Sequence, residues 1–283
     1  MLPIASVMSI SAFPSWINGD IGDRIAVTDR GLAYGDGVFE TLRLQPRPVL
    51  MDFHRQRLAE SLKLLGIPCD LERLFQDVAR YIEDFSPGII KIIVTRGSGG
   101  RGYAPPPDPE TTTVLQGFPL PDYPRSWYEQ GVPLYLCETP LCVNPRFAGI
   151  KHLNRLEQVM ARREFVNTSC PEGLMANGSG WIEGTMSNLF LVNEETLLLP
   201  ALAATAVKGT MQRFIMETCQ ELQCAVKELG AVNREQLLAA DRVFVCNSVF
   251  GLWPVNAIGD TPVVPRSSVL FDQLQNRVMS LVS

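Results

Sequence analysis

The chain has 283 residues, of which 46% are hydrophobic and 19% charged, and its formal net charge is −5. This composition is ordinary for a soluble globular protein and excludes a disordered chain. The negative charge comes without a long acidic or basic run, so binding to nucleic acid or to a membrane is not expected.

The first part of the chain predicts a smaller N-terminal α+β domain, residues 1–120. Asn-Gly within WINGD supplies the positive φ angles of a tight turn, and leucines recur at helical spacing from Asp52 until Gly66. The proline-rich segment PLPDYP places the domain boundary near residue 120. The predicted elements are a strand entering the turn at Trp16–Asp20, a strand at Val38–Leu44, helices from Asp52 and at Leu71–Phe85, and strands within GIIKIIVTRG and TTTVLQGF.

Residues 121–283 predict a larger C-terminal α+β domain. Its strands are expected in short apolar runs separated by turn residues, with NGSG at Asn177–Gly180 as the strongest turn signal. The predicted elements are strands within VPLYLCET, GLMANGSGWIEG, NLFLVNEETLLLP and DRVFVCNS, and helices at Gly209–Leu222 and Arg234–Ala239.

The stretch AGIKHLNRLEQV places Lys151 between a short apolar run and a helix start. Asn154 followed by Glu157 matches a capping box, so Lys151 is predicted in an ordered turn. A helix N-terminus and apolar surroundings disfavour its charged form, which should lower the pKa of Lys151 and make its amine nucleophilic. Such an amine suits Schiff-base chemistry, although a lysine at this place is also typical of a surface residue.

Three other motifs supply the remaining parts of a pyridoxal phosphate site. Glu183 ends a strand in WIEGTMSNLFLV and can keep a pyridine nitrogen protonated. Arg57 in HRQRL can contact a phosphate, and AVKGTMQRF predicts a helix start whose N–H groups bind anions. Each motif alone also fits a solvated hairpin, a basic helix turn or an ordinary helix start, so only the set indicates the cofactor.

Five motifs, in chain order, resemble the fold-type IV pyridoxal-phosphate enzymes, the class of branched-chain and D-amino-acid aminotransferases: DRGLAYGDGVFETLRL, HRQRL, GIKHLNRLEQV, GWIEGTMSNLF and KGTMQRF. The resemblance runs from about Trp16 to Val255. It implies a two-domain α+β fold, bound pyridoxal 5'-phosphate, and a homodimer whose active site lies between the two domains. Within the class, RGSGGRGY and AGIKHLNRLEQV resemble the aminodeoxychorismate lyases, which convert 4-amino-4-deoxychorismate to 4-aminobenzoate and pyruvate in folate biosynthesis.

The resemblance implies a role for each matching residue. Lys151 corresponds to the cofactor lysine, Glu183 to the partner of the pyridine nitrogen, and Arg57 to the phosphate arginine. The remaining phosphate contacts correspond to the backbone at Thr210 and Met211, together with Asn247 and Ser248.

The substrate carboxylates of such a lyase need cationic partners. Arg101 on the glycine-rich loop is the first candidate, ahead of Arg96. Tyr34 and Thr41 are expected to line the pocket. Glu40, directly before Thr41, is a feature that we associate at least as much with the aminotransferases.

Two alternatives therefore stay open at the level of the sequence. One is a D-amino-acid or branched-chain aminotransferase of the same fold. The other, more remote, is a non-enzymatic protein whose GSGGRG loop binds a nucleotide or RNA, although no GK[ST] follows it. No metal site is expected, because His54 and His152 lack a metal-ligand context. The seven scattered cysteines, without a CxxC pair, indicate reduced thiols and a cytoplasmic protein.

Overall fold

A computed structural model describes residues 13–201 and 206–282. The chain divides into two compact units. The N-terminal unit extends to Pro121 and also contains Ile150–Asn154, and the C-terminal unit contains Asp122–Gly149 and the residues from Arg155 onward. The segment with Lys151 therefore groups with the N-terminal unit, whereas the predicted boundary near residue 120 puts this lysine in the larger domain. The mixture of helices and strands in both units confirms the predicted α+β class.

The N-terminal unit is built on a five-stranded antiparallel sheet with the strand order β2-β1-β5-β4-β3. Its elements are β1 (Trp16–Ile17), β2 (Asp20–Ile21), α1 (Arg30–Tyr34), β3 (Gly37–Arg43), α2 (Met51–Leu65), α3 (Leu71–Phe85), β4 (Ile89–Thr95) and β5 (Thr112–Phe118).

Local sequence explains where these elements begin and end. Asn18 and Gly19, at φ 54° and 89°, form the predicted turn between β1 and β2. The helix α2 ends at Gly66, which adopts the left-handed conformation. The Asp70 carboxylate accepts a hydrogen bond from the Arg73 N–H and caps α3, which confirms the predicted helix Leu71–Phe85.

The two long helices α2 and α3 pack on one face of this sheet. The core between them is formed by Val38, Leu42, Leu58, Leu62, Leu74, Val78, Tyr81, Ile90, Ile92 and Leu115. Because side chains alternate along a strand, the other face carries Phe39, Thr41, Lys91, Ile93 and Gln116, all half-buried.

The C-terminal unit contains a nine-stranded mixed sheet with the order β11-β10-β9-β12-β13-β6-β7-β8, to which β14 is added beside β13. A further pairing of β8 with β9 closes six of these strands into a ring. The elements are α4 (Arg125–Glu129), β6 (Val132–Leu136), α5 (Leu156–Glu164), β7 (Glu172–Ala176), β8 (Trp181–Gly184), β9 (Asn188–Asn193), β10 (Thr196–Pro200), α6 (Thr210–Glu221), β11 (Val226–Leu229), α7 (Arg234–Ala239), β12 (Arg242–Asn247), β13 (Gly251–Ile258), β14 (Thr261–Pro262) and α8 (Val269–Val282).

The predicted capping box before α5 is wrong. The helix begins after Arg155, which provides no side-chain cap. Asn154 instead donates to the carbonyl of Gly35, and the Glu157 carboxylate accepts from the Cys142 N–H. Contacts with residues distant in sequence thus use both side chains that would have capped the helix.

Six elements were not predicted from the sequence: α1, α4, β11, β13, β14 and α8. Most of these elements are short, but α8 carries a clear helical pattern that was overlooked, with Leu270, Leu274 and Val278 all buried. Within the described parts of the chain, no helix has both the length and the apolar character needed to cross a membrane.

Candidate functional site

Lys151 lies in a short extended segment that pairs with the edge strand β3. The Phe39 N–H donates to the Lys151 carbonyl at 2.9 Å, the Leu153 N–H donates to the Gly37 carbonyl at 3.0 Å, and His152 forms an antiparallel bridge with Val38. These main-chain bonds fix the lysine beside the sheet. They also explain why its segment groups with the N-terminal unit.

The side chain of Lys151 is half-buried, and its Nζ lies 4.5 Å from the centroid of the Phe39 ring. The helix α5 starts only at Leu156. The predicted influence of a helix N-terminus on this lysine is therefore not supported, because a helix dipole acts mainly within the first turn. Phe39 supplies the apolar surroundings, and its place beside Lys151 was not foreseen from the sequence.

Arg57 is held in a buried ion pair at the contact of α2 with β3. Its Nε donates to Glu40 Oε1 at 2.7 Å, and its Nη2 donates to Glu40 Oε2. His54 Nδ1 lies 2.6 Å from the same Oε2. The phosphate role of Arg57 stays a prediction, and in this arrangement Nε and Nη2 are directed at Glu40.

Glu40, Arg57 and His54 form a buried triad, and its electrostatics favour an ionised Glu40. Burial raises the pKa of Glu40, but the charge and hydrogen bonds of Arg57, with a contribution from His54, outweigh burial and lower that pKa to about 2. Burial lowers the pKa of His54, against the attraction of Glu40. At neutral pH, His54 is therefore neutral and donates through Nδ1 to the carboxylate.

The glycine-rich loop that contains Arg101 is anchored by the buried Arg30. The guanidinium of Arg30 donates to the carbonyls of Gly102, Tyr103 and Ala104 at 2.8 to 3.3 Å. The Arg101 side chain is exposed, and its role toward a substrate stays a prediction.

Tyr34 lies against the same loop, because its ring meets the ring of Tyr103 edge-on and its hydroxyl accepts from the Gly102 N–H at 3.3 Å. Arg96 differs from Arg101 in that its guanidinium is engaged, donating to Asp36 and to the carbonyls of Leu65 and Gly66. This arrangement gives Arg96 a structural role.

Glu183, in the C-terminal unit, is buried at β8 with only 4% of its surface exposed. Its Oε2 accepts from the Val207 N–H at 3.1 Å. Glu183 also pairs with Asn188 where β8 meets β9. A buried carboxylate with a fixed orientation can hold a proton-bearing ring nitrogen, which is consistent with the predicted role.

A second buried carboxylate, Glu172, holds the turn that follows Glu183. Its oxygens accept from the Thr185 N–H and hydroxyl, from the Met186 N–H at 3.2 Å and from the Ser187 hydroxyl at 2.8 Å. Glu172 was not predicted from the sequence. It lies far from the turn along the chain, and no local pattern marks it.

The N-terminus of α6 requires glycine at position 209. A Cβ built on Gly209 would collide with the Oδ1 of Asn188, whose Nδ2 donates to the Val207 carbonyl at 2.9 Å. Thr210 and Met211, both buried, form the first turn of α6. The first N–H groups of a helix have no acceptor within that helix and can bind an anion.

Asn247 is the last residue of β12 and Ser248 follows it, in the same unit as α6. The Asn247 side chain donates to the Met186 carbonyl at 3.1 Å and accepts from the N–H groups of Val249 and Phe250, both at 2.9 Å. This side chain therefore ties the turn after β8 to the end of β12. The predicted phosphate contacts of Asn247 and Ser248 stay predictions.

Each unit thus contains part of the predicted set. Lys151, Arg57, Thr41, Tyr34 and Arg101 belong to the N-terminal unit, and Glu183, Thr210, Met211, Asn247 and Ser248 belong to the C-terminal unit. The groups present fit pyridoxal 5'-phosphate: an amine beside an aromatic ring, a buried carboxylate, and a helix start that excludes a side chain at Gly209. No cluster of three or more His, Cys, Asp or Glu suited to a metal ion occurs in the described residues.

The chain is similar to known proteins over most of its length. An aminodeoxychorismate lyase from Vibrio harveyi is 36% identical over 86% of this chain and 90% of that protein. The crystal structure of 4-amino-4-deoxychorismate lyase from Pseudomonas aeruginosa matches with a TM-score of 0.89 and 40% identity, over 94% of this chain and 98% of that chain. A branched-chain-amino-acid aminotransferase from Salmonella typhimurium is 27% identical over 86% of this chain and 84% of that protein.

The family described as amino-transferase class IV matches residues 37–258. This range includes both Lys151 and Glu183 and covers most of the chain. The fold agrees with the fold-type IV arrangement that the sequence motifs implied. The chain therefore belongs to the class IV aminotransferase family.

Proposed function

We propose that the protein is a pyridoxal 5'-phosphate-dependent aminodeoxychorismate lyase, which converts 4-amino-4-deoxychorismate to 4-aminobenzoate and pyruvate in folate biosynthesis. The observation that carries this proposal is the similarity to two lyases at 36% and 40% identity, each over most of the chain. The 27% identity to a branched-chain aminotransferase over a comparable part of the chain is lower.

The residues have the following roles in this proposal. When bound, the cofactor supplies a ring that withdraws electrons from the carbon beside the substrate nitrogen. Lys151 would hold the cofactor and, once released, its Nζ would remove the proton from the carbon that bears the amino group. Glu183 would hold the proton on the ring nitrogen. Arg57, the first turn of α6 and the Asn247–Ser248 turn would bind the phosphate.

The elimination balances without an oxidant or a second substrate. The bond between the ring carbon and the enolpyruvyl oxygen breaks, its electron pair leaves with the oxygen, and the six-membered carbon ring becomes aromatic. Protonation of the released enolate gives pyruvate. Removal of this proton by Lys151 Nζ would start the elimination. Formation of the aromatic ring makes the overall reaction strongly favourable.

The aminotransferase alternative loses its main argument from the sequence. Glu40 was the residue that favoured it, but Glu40 is 1% exposed and is bound to Arg57 and His54. A residue that holds α2 against β3 serves the fold of either kind of enzyme. Its presence therefore does not distinguish an aminotransferase from a lyase.

The test is to incubate the cofactor-loaded protein with 4-amino-4-deoxychorismate and to quantify 4-aminobenzoate and pyruvate without an added oxo acid. The proposal expects equal amounts of both products. A cofactor-loaded protein that forms neither product, but transfers the amino group of D-alanine or leucine to 2-oxoglutarate, would establish the aminotransferase instead.

The proposal extends to a homodimer in the cytoplasm. Membership of the family supports the dimer, and the seven free cysteines are consistent with a reducing compartment. Sedimentation equilibrium of the purified protein tests the dimer, and a mass of one 31.3 kDa chain at micromolar concentration would exclude it.

A further inference from the structure

The C-terminal end of α6 brings two cysteines together. The Cys224 N–H donates to the Cys219 carbonyl at 3.0 Å, and the Gln223 N–H donates to the Gln220 carbonyl at 3.1 Å. Gln223 itself lies in the left-handed region, at φ 57°. Two such bonds around a left-handed residue form a Schellman motif, in which the side chains at the positions of Cys219 and Cys224 commonly contact each other.

The geometry of this helix end suits a disulfide bond. Because the Cys224 N–H donates to the Cys219 carbonyl at 3.0 Å, the two Cα atoms are no more than about 7 Å apart, the limit for bridging cysteines without backbone movement. The Cys224 Sγ already points to this helix end, since it donates to the Cys219 carbonyl at 3.3 Å. The two free thiols also interact directly with each other. Little movement is therefore needed to join them.

The two thiols differ in their access to solvent. Cys219 is fully buried, and burial together with the Cys224 thiol raises its pKa, so that it stays protonated. Cys224 is half-buried, and a small oxidant can reach it. Oxidation of a cysteine depends on its exposure and on its thiolate character. Cys224 is therefore the thiol that reacts first, and Cys219 is the partner beside it.

We propose that Cys224 and Cys219 form a reversible disulfide when a peroxide oxidises the protein, with Cys219 as the resolving thiol. Cys224 Sγ attacks one peroxide oxygen, the O–O bond breaks, and a sulfenic acid forms with release of water. Cys219 Sγ then attacks the Cys224 sulfur, the S–O bond breaks, and the oxygen leaves as water with the Cys219 proton. Each sulfur has lost one electron to the peroxide, and a thiol reductant restores both thiols.

This site protects the end of α6 and leaves its first turn unchanged. Without a resolving thiol, the sulfenic acid at Cys224 proceeds to a sulfinic acid, which thiols do not reduce. The helix α6 has 12 residues, so its first turn, where Gly209 excludes a side chain, lies about 18 Å from the disulfide. Formation of the disulfide is therefore expected to leave bound cofactor in place.

The experiment treats the cofactor-loaded protein with hydrogen peroxide, labels the remaining thiols with N-ethylmaleimide in denaturant, and analyses tryptic peptides by mass spectrometry. Trypsin cleaves after Arg213 and Lys227, and no lysine or arginine lies between them. Both cysteines are therefore in the single peptide 214–227, in which a disulfide removes two hydrogen atoms and blocks both labels. This readout does not depend on the proposed function.

The variants compared with the wild type are Cys219→Ala, Cys224→Ser and the control Cys142→Ser, which removes an exposed thiol from another peptide. In the wild type and the control, peptide 214–227 should lose both labels, and dithiothreitol should restore them. Cys219→Ala should accumulate sulfinic acid at Cys224. Cys224→Ser should keep the Cys219 thiol reduced and labelled.

Two further readouts use the oxidised wild-type protein. The visible absorption of bound cofactor should stay unchanged, because the disulfide is distant from the first turn of α6. The midpoint of thermal unfolding should not fall, because the new bond joins groups that are already in contact. A lower midpoint or a loss of cofactor would show that the disulfide distorts α6 and would refute the preformed geometry.

The proposal is overturned if both cysteines of peptide 214–227 are still labelled after the peroxide has oxidised Cys142 in the same sample. Equal amounts of sulfinic acid at Cys224 in the wild type and in Cys219→Ala would exclude Cys219 as the resolving thiol. A disulfide from Cys224 to a different peptide would exclude it as well. If Cys219→Ala does not fold, the wild type and Cys224→Ser still decide, because the disulfide within one peptide is observed directly.

Discussion

The buried triad of Glu40, Arg57 and His54 allows a quantitative prediction of stability. A carboxyl pKa lowered from 4.5 to about 2 corresponds to about 3 kcal/mol of stabilisation at neutral pH. The substitution Glu40→Gln removes this term and leaves Arg57 buried without its counter-ion. We expect the free energy of unfolding to fall by about 3 to 5 kcal/mol, the range for a broken buried ion pair.

The sign of the pH dependence follows from the direction of each pKa. Because the pKa of Glu40 is lowered, its stabilisation is fully present above pH 4.5 and is lost as the pH falls toward 2. The lowered pKa of His54 adds a loss of stability below pH 6.5, where the unfolded chain binds a proton that the folded chain excludes. The contribution of Glu40 is therefore isolated by comparing the variant with the wild type below pH 4.5.

The assay is urea unfolding of the cofactor-free protein, so that ligand binding does not add to stability. The matched control is Glu72→Gln on α3, whose partner is Arg55 and whose side chain is 76% exposed. The control should lose less than about 1 kcal/mol. If Glu40→Gln loses no more than Glu72→Gln, or if its stability falls below pH 4.5 as steeply as that of the wild type, the electrostatic account of this triad is wrong.

Three other predictions concern the cofactor site. Lys151→Ala should abolish both turnover and the visible absorption of bound cofactor, and a purified variant that retained both would exclude this lysine from its role. Glu183→Gln should still bind the cofactor but lose about 100-fold in kcat, because a neutral amide does not stabilise the protonated ring nitrogen; a wild-type kcat would remove Glu183 from the mechanism. Gly209→Ala should lower stability by about 1 to 3 kcal/mol and weaken cofactor binding, because its methyl group collides with Asn188. A Cβ at Gly230 meets no atom within 4 Å, so Gly230→Ala is the control, and equal thermal shifts and cofactor affinities for the two variants would contradict the prediction.

The sequence determined those secondary-structure elements and turns that depend only on residues close together in the chain. The Asn-Gly turn, the helix α3 with its Asp70 cap and the stop of α2 at Gly66 each depend on residues within one or two turns of chain, and all are present. The motifs around Lys151 and Glu183 likewise identified the family, because they combine specific residue types at short spacing. The overlooked helix α8 also had a readable pattern.

The tertiary structure decided the features that join distant segments. Asn154 and Glu157 have the spacing of a capping box, yet each side chain bonds to a residue far away in sequence. Pairing with β3 places the Lys151 segment in the N-terminal unit, and Glu172 holds a turn that follows the next strand.

Glu40 and Lys91 show most directly why the sequence alone could not predict which charged groups meet. Both lie on neighbouring strands of one sheet, but Glu40 faces α2 and meets Arg57, whereas Lys91 faces away from the helices and meets Phe39. Alternation along a strand can be read from the sequence, but which charges then face each other depends on strand order and helix placement. The sequence therefore determined which chemical groups the chain carries and which family it belongs to. Only the tertiary structure decided which charge became part of the core and which lies half-buried on the opposite face of the sheet.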